Sequence, residues 1–134
     1  MVDANIVMGA LLRDGATRHL LLSGGLNVHA PETLWGELDR NRAYLLAKSG
    51  ATAAAYHLLM ELLRTKITIV PVEALRENIG DALARLGPKN SLDAPYLAAA
   101  IAIGGTLWSH DKRFSRTAQV PTVRTRDVLA YLGI

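Results

Sequence analysis

No cysteine occurs in the 134 residues. That absence excludes disulfides, thiolate-bound zinc and a cysteine nucleophile together. No apolar run comes near the roughly 18 to 20 residues that cross a bilayer. The opening residues, Met1-Val2-Asp3-Ala4-Asn5, carry an acid where a secretory leader carries bases, so a cytoplasmic chain is expected. The histidines (His19, His29, His57 and His110) show no metal-ligand spacing. Gly24-Gly25 and Gly104-Gly105 lack both the G-x-G-x-x-G and the Lys-Ser/Thr patterns of phosphate loops, and read as turn punctuation. Repeats, low-complexity tracts and linkers are missing too, and the length suits one domain spanning 1–134.

What is present is half apolar and one-fifth charged, as in ordinary soluble globular chains. The net charge is +3 and the pI about 9.5, but the distribution matters more than the total. From Lys112 to Arg126 there are five bases (Lys112, Arg113, Arg116, Arg124 and Arg126) and no acid. Composition leaves two readings of that stretch open: a face for a polyanion, or a solvated surface that happens to be basic.

Read in order, the chain alternates helix and strand signals. Residues 1–3 form at most a strand tip, and Asp3 stands where an N-cap or a strand-end ligand would. An apolar helix follows from Ile6 to Leu12, and another from Thr17 to Ser23. Leu26 to Ala30 is a short strand closed by Pro31, which launches a helix carrying Glu32, Glu37 and the stripe Leu34, Leu38, Leu45 and Leu46. After Gly50, a helix over 51–64 places Ala55, Leu58, Leu59, Leu62 and Leu63 at helical spacing. Ile67-Thr68-Ile69-Val70 is the clearest strand. One helix is expected over 73–86, stopped by Gly87-Pro88, and a nearly all-apolar one from Ser91-Leu92-Asp93 to Ile103. A strand over 106–109, a last one near 122–124 and a helix over 126–132 complete an α/β chain with a mostly parallel sheet.

Four acids share one structural address, the C-terminal end of a strand or the opening of a helix beside it. Asp3 follows the first strand, Glu37 the second and Asp111 the fourth, while Asp93 opens the helix that feeds the fourth. Right-handed crossovers bring strand C-termini to one edge, where ligands of open α/β sheets bind. Clustered carboxylates repel unless a cation sits among them. An all-oxygen donor set points to Mg²⁺ or Mn²⁺ rather than zinc, and hence to phosphodiester hydrolysis. Taken singly, each acid reads more simply as a cap or a surface charge, and Glu32 competes with Glu37 for its place.

The set Asp3-x-Asn5, Glu37 on a helix, Asp93-x-Pro95-Tyr96-Leu97-Ala98-Ala99-Ala100 and Trp108-Ser109-x-Asp111-x-x-Phe114 resembles the PIN-domain family of metal-dependent nucleases over essentially the whole chain. It is most similar to the small prokaryotic ribonuclease toxins of VapBC-type toxin–antitoxin pairs. The resemblance implies a Rossmann-like three-layer α/β/α sandwich and metal-binding or catalytic roles for Asp3, Glu37, Asp93 and Asp111. It further implies that Ser109 hydrogen-bonds within the site and Asn5 braces the first acid. Implied partners are RNA, whose backbone Lys112, Arg113 and Arg116 would position, and an antitoxin that blocks the cleft. Apart from the resemblance, the leucines, Met60 and Tyr56 of the helix over 51–64 read mostly as core, with a homodimer face as the alternative. Two departures shape the expectation. The family's first strand is several residues longer than Met1-Val2, so a trimmed start is expected. Lys89 and Asn90 stand near Asp93 where relatives carry another acid, so a second metal position should be weak.

Two rival readings remain. A catalytically weak PIN-like module would bind nucleic acid or protein without cutting. A phosphatase of the haloacid-dehalogenase type also gathers acids at strand ends, but Asp3-Ala4-Asn5 lacks that family's second Asp.

Overall fold

The computed structural model describes residues 1–117 and 120–134. In chain order the elements are α1 (Ala4–Leu12), α2 (Ala16–Leu22), β1 (Val28–Pro31), α3 (Thr33–Arg40), α4 (Arg42–Ser49), α5 (Ala53–Lys66), β2 (Ile67–Val70), α6 (Ile79–Leu86), α7 (Ala94–Ile103), β3 (Leu107–Trp108), α8 (Lys112–Thr117), β4 (Thr122–Val123) and α9 (Thr125–Tyr131). The fold is mixed α/β, mostly helical, with short parallel strands.

β1 and β2 pair in parallel, from Val28 opposite Ile67 to Pro31 opposite Val70. β3 and β4 pair in parallel through Leu107–Thr122 and Trp108–Val123. The first three residues join the two pairs. Val2 forms a parallel bridge with Trp108, while its N–H donates to His29 O at 2.8 Å. Trp108 N–H donates to Met1 O at 2.7 Å and Asp3 N–H to Trp108 O at 3.1 Å. The lateral order is therefore β2, β1, residues 1–3, β3, β4, and the expected strand tip is the seam of the sheet. Pro31, which cannot donate, closes β1, and the Glu32 N–H next in line bonds Val70 O at 3.1 Å.

The helices divide around this seam. α1 buries Ile6, Val7, Ala10 and Leu11 and packs among α2, α3, α4 and α5. α7 lies against β1, β3 and α6 and buries six consecutive or near-consecutive residues, Ala94 and Tyr96 to Ala100. Its run of alanines lets the backbone approach the strands closely. Gly50 and Gly104 end α4 and α7 in the left-handed region, φ 68° and 62°, where other residues are strained.

Several local readings shift. The helix expected after Pro31 is two, broken at Asn41, whose side-chain amide donates to Glu37 O at 2.8 Å and competes with the helical ladder. The helix expected over 73–86 is a 3₁₀ turn over Val72–Leu75 followed by α6, because Asn78 and Gly80 are weak helix formers. On α5 the buried side chains are Tyr56, Met60 and Leu63, whereas Leu58 and Leu62 face outward. α8 was not expected. Asp111 initiates it, accepting from the Arg113 N–H at 2.9 Å as an N-cap residue does.

Leu97, fully buried on α7, sits where this packing is tightest. Leu97→Ala should lower unfolding stability by about 2–5 kcal/mol through lost burial and the cavity left behind, read from urea denaturation midpoints.

Candidate active site

Asp3 directly follows the seam residue Val2 and is only 3% exposed. It occupies the N-cap position of α1 without a side-chain capping bond. Instead Oδ2 accepts from the Ser109 hydroxyl at 2.8 Å, and that same Ser109 oxygen accepts from the Asp111 N–H at 2.9 Å. Ser109 thus ties the end of the first segment to the loop leaving β3. Burial pushes the Asp3 pKa up; the Ser109 bond and the Asn5 backbone N–H pull it down, and the charges of Asp93 and Asp111 push it up again.

Glu37 lies one turn into α3. Its Oε1 accepts from the Tyr96 hydroxyl of α7 at 2.8 Å. Its pKa is raised, by burial first, against the Tyr96 bond and Arg40, with Asp3 and Asp93 adding repulsion. Glu32 faces elsewhere, accepting from Val72 N–H at 3.1 Å, so the two glutamates that compete in the sequence separate in space.

Asp93 ends the 3₁₀ turn (Pro88–Asp93) that leads into α7. Arg113 connects it to Asp111. Arg113 Nη2 stands 2.9 Å from Asp93 Oδ2, and Nε donates to the two Asp111 oxygens at 3.1 and 3.0 Å. Nη1 donates to Asn90 Oδ1. The Asp93 pKa is raised by burial, which outweighs the pull of Arg113. That of Asp111 is lowered, chiefly by its hydrogen bond from Arg113.

Asp3, Glu37, Asp93 and Asp111 therefore feel one another's charge in a single region at the strand ends. Among the described residues no three acids or histidines already enclose an ion position; the guanidinium spans two of the acids instead. The donor set is oxygen alone and partly buried, with Arg113 as the cation now facing two of its members; oxygen donors of this kind suit a hard divalent cation rather than a soft one. The Asn5 side chain is exposed; its nearby backbone N–H lowers the Asp3 pKa without making a capping bond. Lys112 and Arg116 are exposed on α8. His110 and Trp108 turn to Thr125: Trp108 Nε1 donates to its hydroxyl at 3.1 Å, and His110 Nε2 accepts from its N–H at 3.3 Å.

Tyr96 and Asn90 were missed as site residues. Tyr96 reads as part of an apolar helix, yet a buried phenol needs a hydrogen-bond partner, and that requirement was the available signal. Asn90 stands in the sequence only as a neighbour of Asp93 in place of an acid; that its amide oxygen accepts from Arg113 depends on the tertiary contact.

The raised acids set a pH dependence with a definite sign. A group whose folded pKa lies above its unfolded value stabilises the fold below the unfolded value, and that contribution is lost as pH rises through the folded one. Asp3, Glu37 and Asp93 behave so, from ordinary values of 3.8, 4.5 and 3.8 upward. Asp111 runs oppositely, its contribution lost as pH falls through its lowered value. Metal-free protein should lose stability as pH rises above that ordinary range, and Asp3→Asn should flatten the loss. Urea midpoints measured against pH in EDTA would show it; an unchanged slope in the variant would contradict the burial of a charged Asp3. Ser109→Ala, which strips Asp3 of its buried donor, should cost about 1–3 kcal/mol at neutral pH in the same measurement.

Comparison with known proteins places this geometry in context. The family model described as PIN domain matches residues 1–133. VapC ribonuclease Mb0985 of Mycobacterium bovis is 32% identical over 120 residues, covering 89% of this chain and 91% of its own length. Ribonuclease VapC9 of Mycobacterium tuberculosis matches with the same identity and coverage. No solved structure gives a significant match.

Proposed function

The chain belongs to the PIN-domain family, and from that premise we propose that it is a Mg²⁺- or Mn²⁺-dependent endoribonuclease, the toxin of a type II toxin–antitoxin pair. The observation that carries the reading is the run of contacts that draws acids from separate stretches of chain together: Ser109 links Asp3 to the loop of Asp111, Arg113 links Asp111 to Asp93, and Glu37 lies near enough to Asp3 and Asp93 to be repelled by both. The similarity to proteins named VapC ribonuclease supports it independently. The wider reading is a single PIN-like unit over 1–134, folded as a three-layer α/β/α sandwich with a cytoplasmic setting. No helix among the described residues is long and apolar enough to cross a membrane.

Asp3, Asp93, Asp111 and Glu37 are the residues that would hold the cation. A divalent ion bound there supplies a nucleophile from water at neutral pH and steadies the leaving oxygen of the phosphodiester. The chain's own groups do the positioning. Ser109 fixes the Asp3 carboxylate, Tyr96 fixes Glu37, and the base-rich α8 offers Lys112, Arg113 and Arg116 to the RNA backbone, where phosphate contacts orient without reading sequence. An antitoxin would act by covering this cleft. The outward-facing Leu58 and Leu62 of α5, 61% and 42% exposed, are the surface we assign to a homodimer.

The rival reading is a PIN-like binding module without cleavage, and the guanidinium already neutralising Asp93 and Asp111 favours it. Cutting of a generic single-stranded RNA separates the two. Mg²⁺-dependent cleavage, abolished by EDTA, should fall roughly a thousandfold in Asp93→Asn and in Asp111→Asn, the loss of several kcal/mol of transition-state stabilisation, with circular dichroism unchanged. Cleavage that survives both substitutions and EDTA would remove these acids from the mechanism.

A further inference from the structure

Resting on the metal-nuclease reading, we propose that Arg113 is a resident counter-cation of this site: its guanidinium occupies the Asp93–Asp111 gap when no divalent ion is bound, and must swing out for the ion to enter.

Three features lead there. The first is donor accounting. Arg113 spends Nε on both oxygens of Asp111, Nη2 on Asp93 and Asp111, and Nη1 on Asn90. A guanidinium has five N–H donors in a fixed fork, and here the fork is aimed almost wholly into the acidic gap. The carboxylate oxygens it covers are the ones a metal would need, so the two cations compete for the same atoms.

The second feature is where the side chain starts. Asp111 accepts from the Arg113 backbone N–H at 2.9 Å and begins α8 immediately beyond. That places Arg113 one residue into the helix, on the rim of the site, with its side chain folded back over the acid that caps it. Its side chain is 46% exposed, while those of Asp93 and Asp111 are 23% and 18% exposed. The acids are walled in and the arginine is not. It can leave by rotating about its own side-chain bonds, and no backbone movement is required.

The third is the local charge balance. Asp3, Glu37, Asp93 and Asp111 bring four carboxylates to the region, and among the described residues Arg113 is the cation that ion-pairs with them. Lys112 and Arg116 sit on the same helix but appear in no ion pair with these acids among the described residues. Without Arg113 the metal-free cluster would carry uncompensated repulsion. With it, metal binding must first break the charge-assisted contacts to both acids, which weakens the apparent affinity for the ion.

The test is direct Mn²⁺ binding to the purified full chain without RNA, by titration calorimetry and by loss of the free-ion electron paramagnetic resonance signal. Arg113→Gln should bind Mn²⁺ about three- to tenfold more tightly than the parent, a range that allows for the solvent screening of a half-exposed pair. Arg116→Gln, which removes the same charge from the same helix, should change affinity by less than about twofold. In EDTA the Arg113→Gln variant should melt at a lower temperature, and Mn²⁺ should raise its Tm by more than it raises the parent's. Arg113→Lys keeps the charge but loses the fork; it should bind Mn²⁺ with intermediate affinity, and it carries the test if the glutamine variant does not fold. Equal or weaker Mn²⁺ binding in Arg113→Gln overturns the proposal, as does equal tightening in Arg116→Gln, which would mean that net charge alone is at work. The underlying reading fails separately. If the parent binds no Mn²⁺, or if Asp93→Asn binds it as well as the parent, the acids are not a metal site and both readings fall.

Discussion

A carboxylate buried to 3% exposure and held by one serine hydroxyl at 2.8 Å is the contact on which the rest of the molecule turns. Asp3 and Ser109 lie 106 residues apart, and their bond joins the start of the chain to the loop that leaves β3. The bond is possible because Val2 and Trp108 are already paired in parallel, which places the residue after each on the same edge. The sheet positions the acid, and the serine makes its burial tolerable: a buried carboxylate without donors would be driven to its neutral form. Because the same oxygen accepts the Asp111 N–H, the hydroxyl also orients the loop that carries the next acid. The tolerance of a buried acid and the direction of the next loop thus both pass through one small side chain.

Charge compensation follows from that arrangement. Each acid is reached from a different element: Asp3 from the seam, Glu37 from α3, Asp93 from the turn before α7 and Asp111 from the end of β3. Each has a distinct partner, respectively Ser109, Tyr96, and for the last two the shared Arg113. The partners differ in kind. Neutral hydroxyls hold Asp3 and Glu37, and a half-exposed guanidinium holds Asp93 and Asp111. The two kinds of partner divide the cluster into a pair held by hydroxyls and a pair held by a guanidinium.

Much of this was legible in the sequence because the signals were local. The run Ile67–Val70, the alanine-rich helix after Asp93 and the Trp108-Ser109-x-Asp111 turn all follow from apolar pattern and turn chemistry, and the PIN resemblance that they carry agrees with the family match over 1–133. What escaped were features decided by tertiary contact. On α5 Tyr56 and Met60 are buried as expected, with Leu63, but the stripe of 55, 58, 59, 62 and 63 is split, Leu58 and Leu62 facing outward, a choice made by the core opposite and not by the helix itself. Glu32 and Glu37 could not be told apart until Val72 N–H claimed the first and Tyr96 the second. The charge of Arg113 marks it in the sequence as an RNA contact; that it also folds back onto Asp111 depends on α8 beginning at that acid, for which the sequence carries no helix signal.

The shortness of the strands sharpens the same point. β3 and β4 contribute two residues each to their ladder, and the seam contributes a single bridge. So little sheet cannot hold strand ends in register through backbone bonds alone, since an isolated pair of short strands is marginal in water. The packing of α7 against β1 and β3 must supply the remainder. Ala98, Ala99 and Ala100, fully buried on α7, allow that approach, and on the same helix Tyr96 delivers its hydroxyl to Glu37. The helix that braces the sheet is also the helix that Asp93 opens, so any change that loosens its packing shifts two acids of the cluster together. Stability and site geometry are coupled through α7, and substitutions on its buried face should disturb both at once.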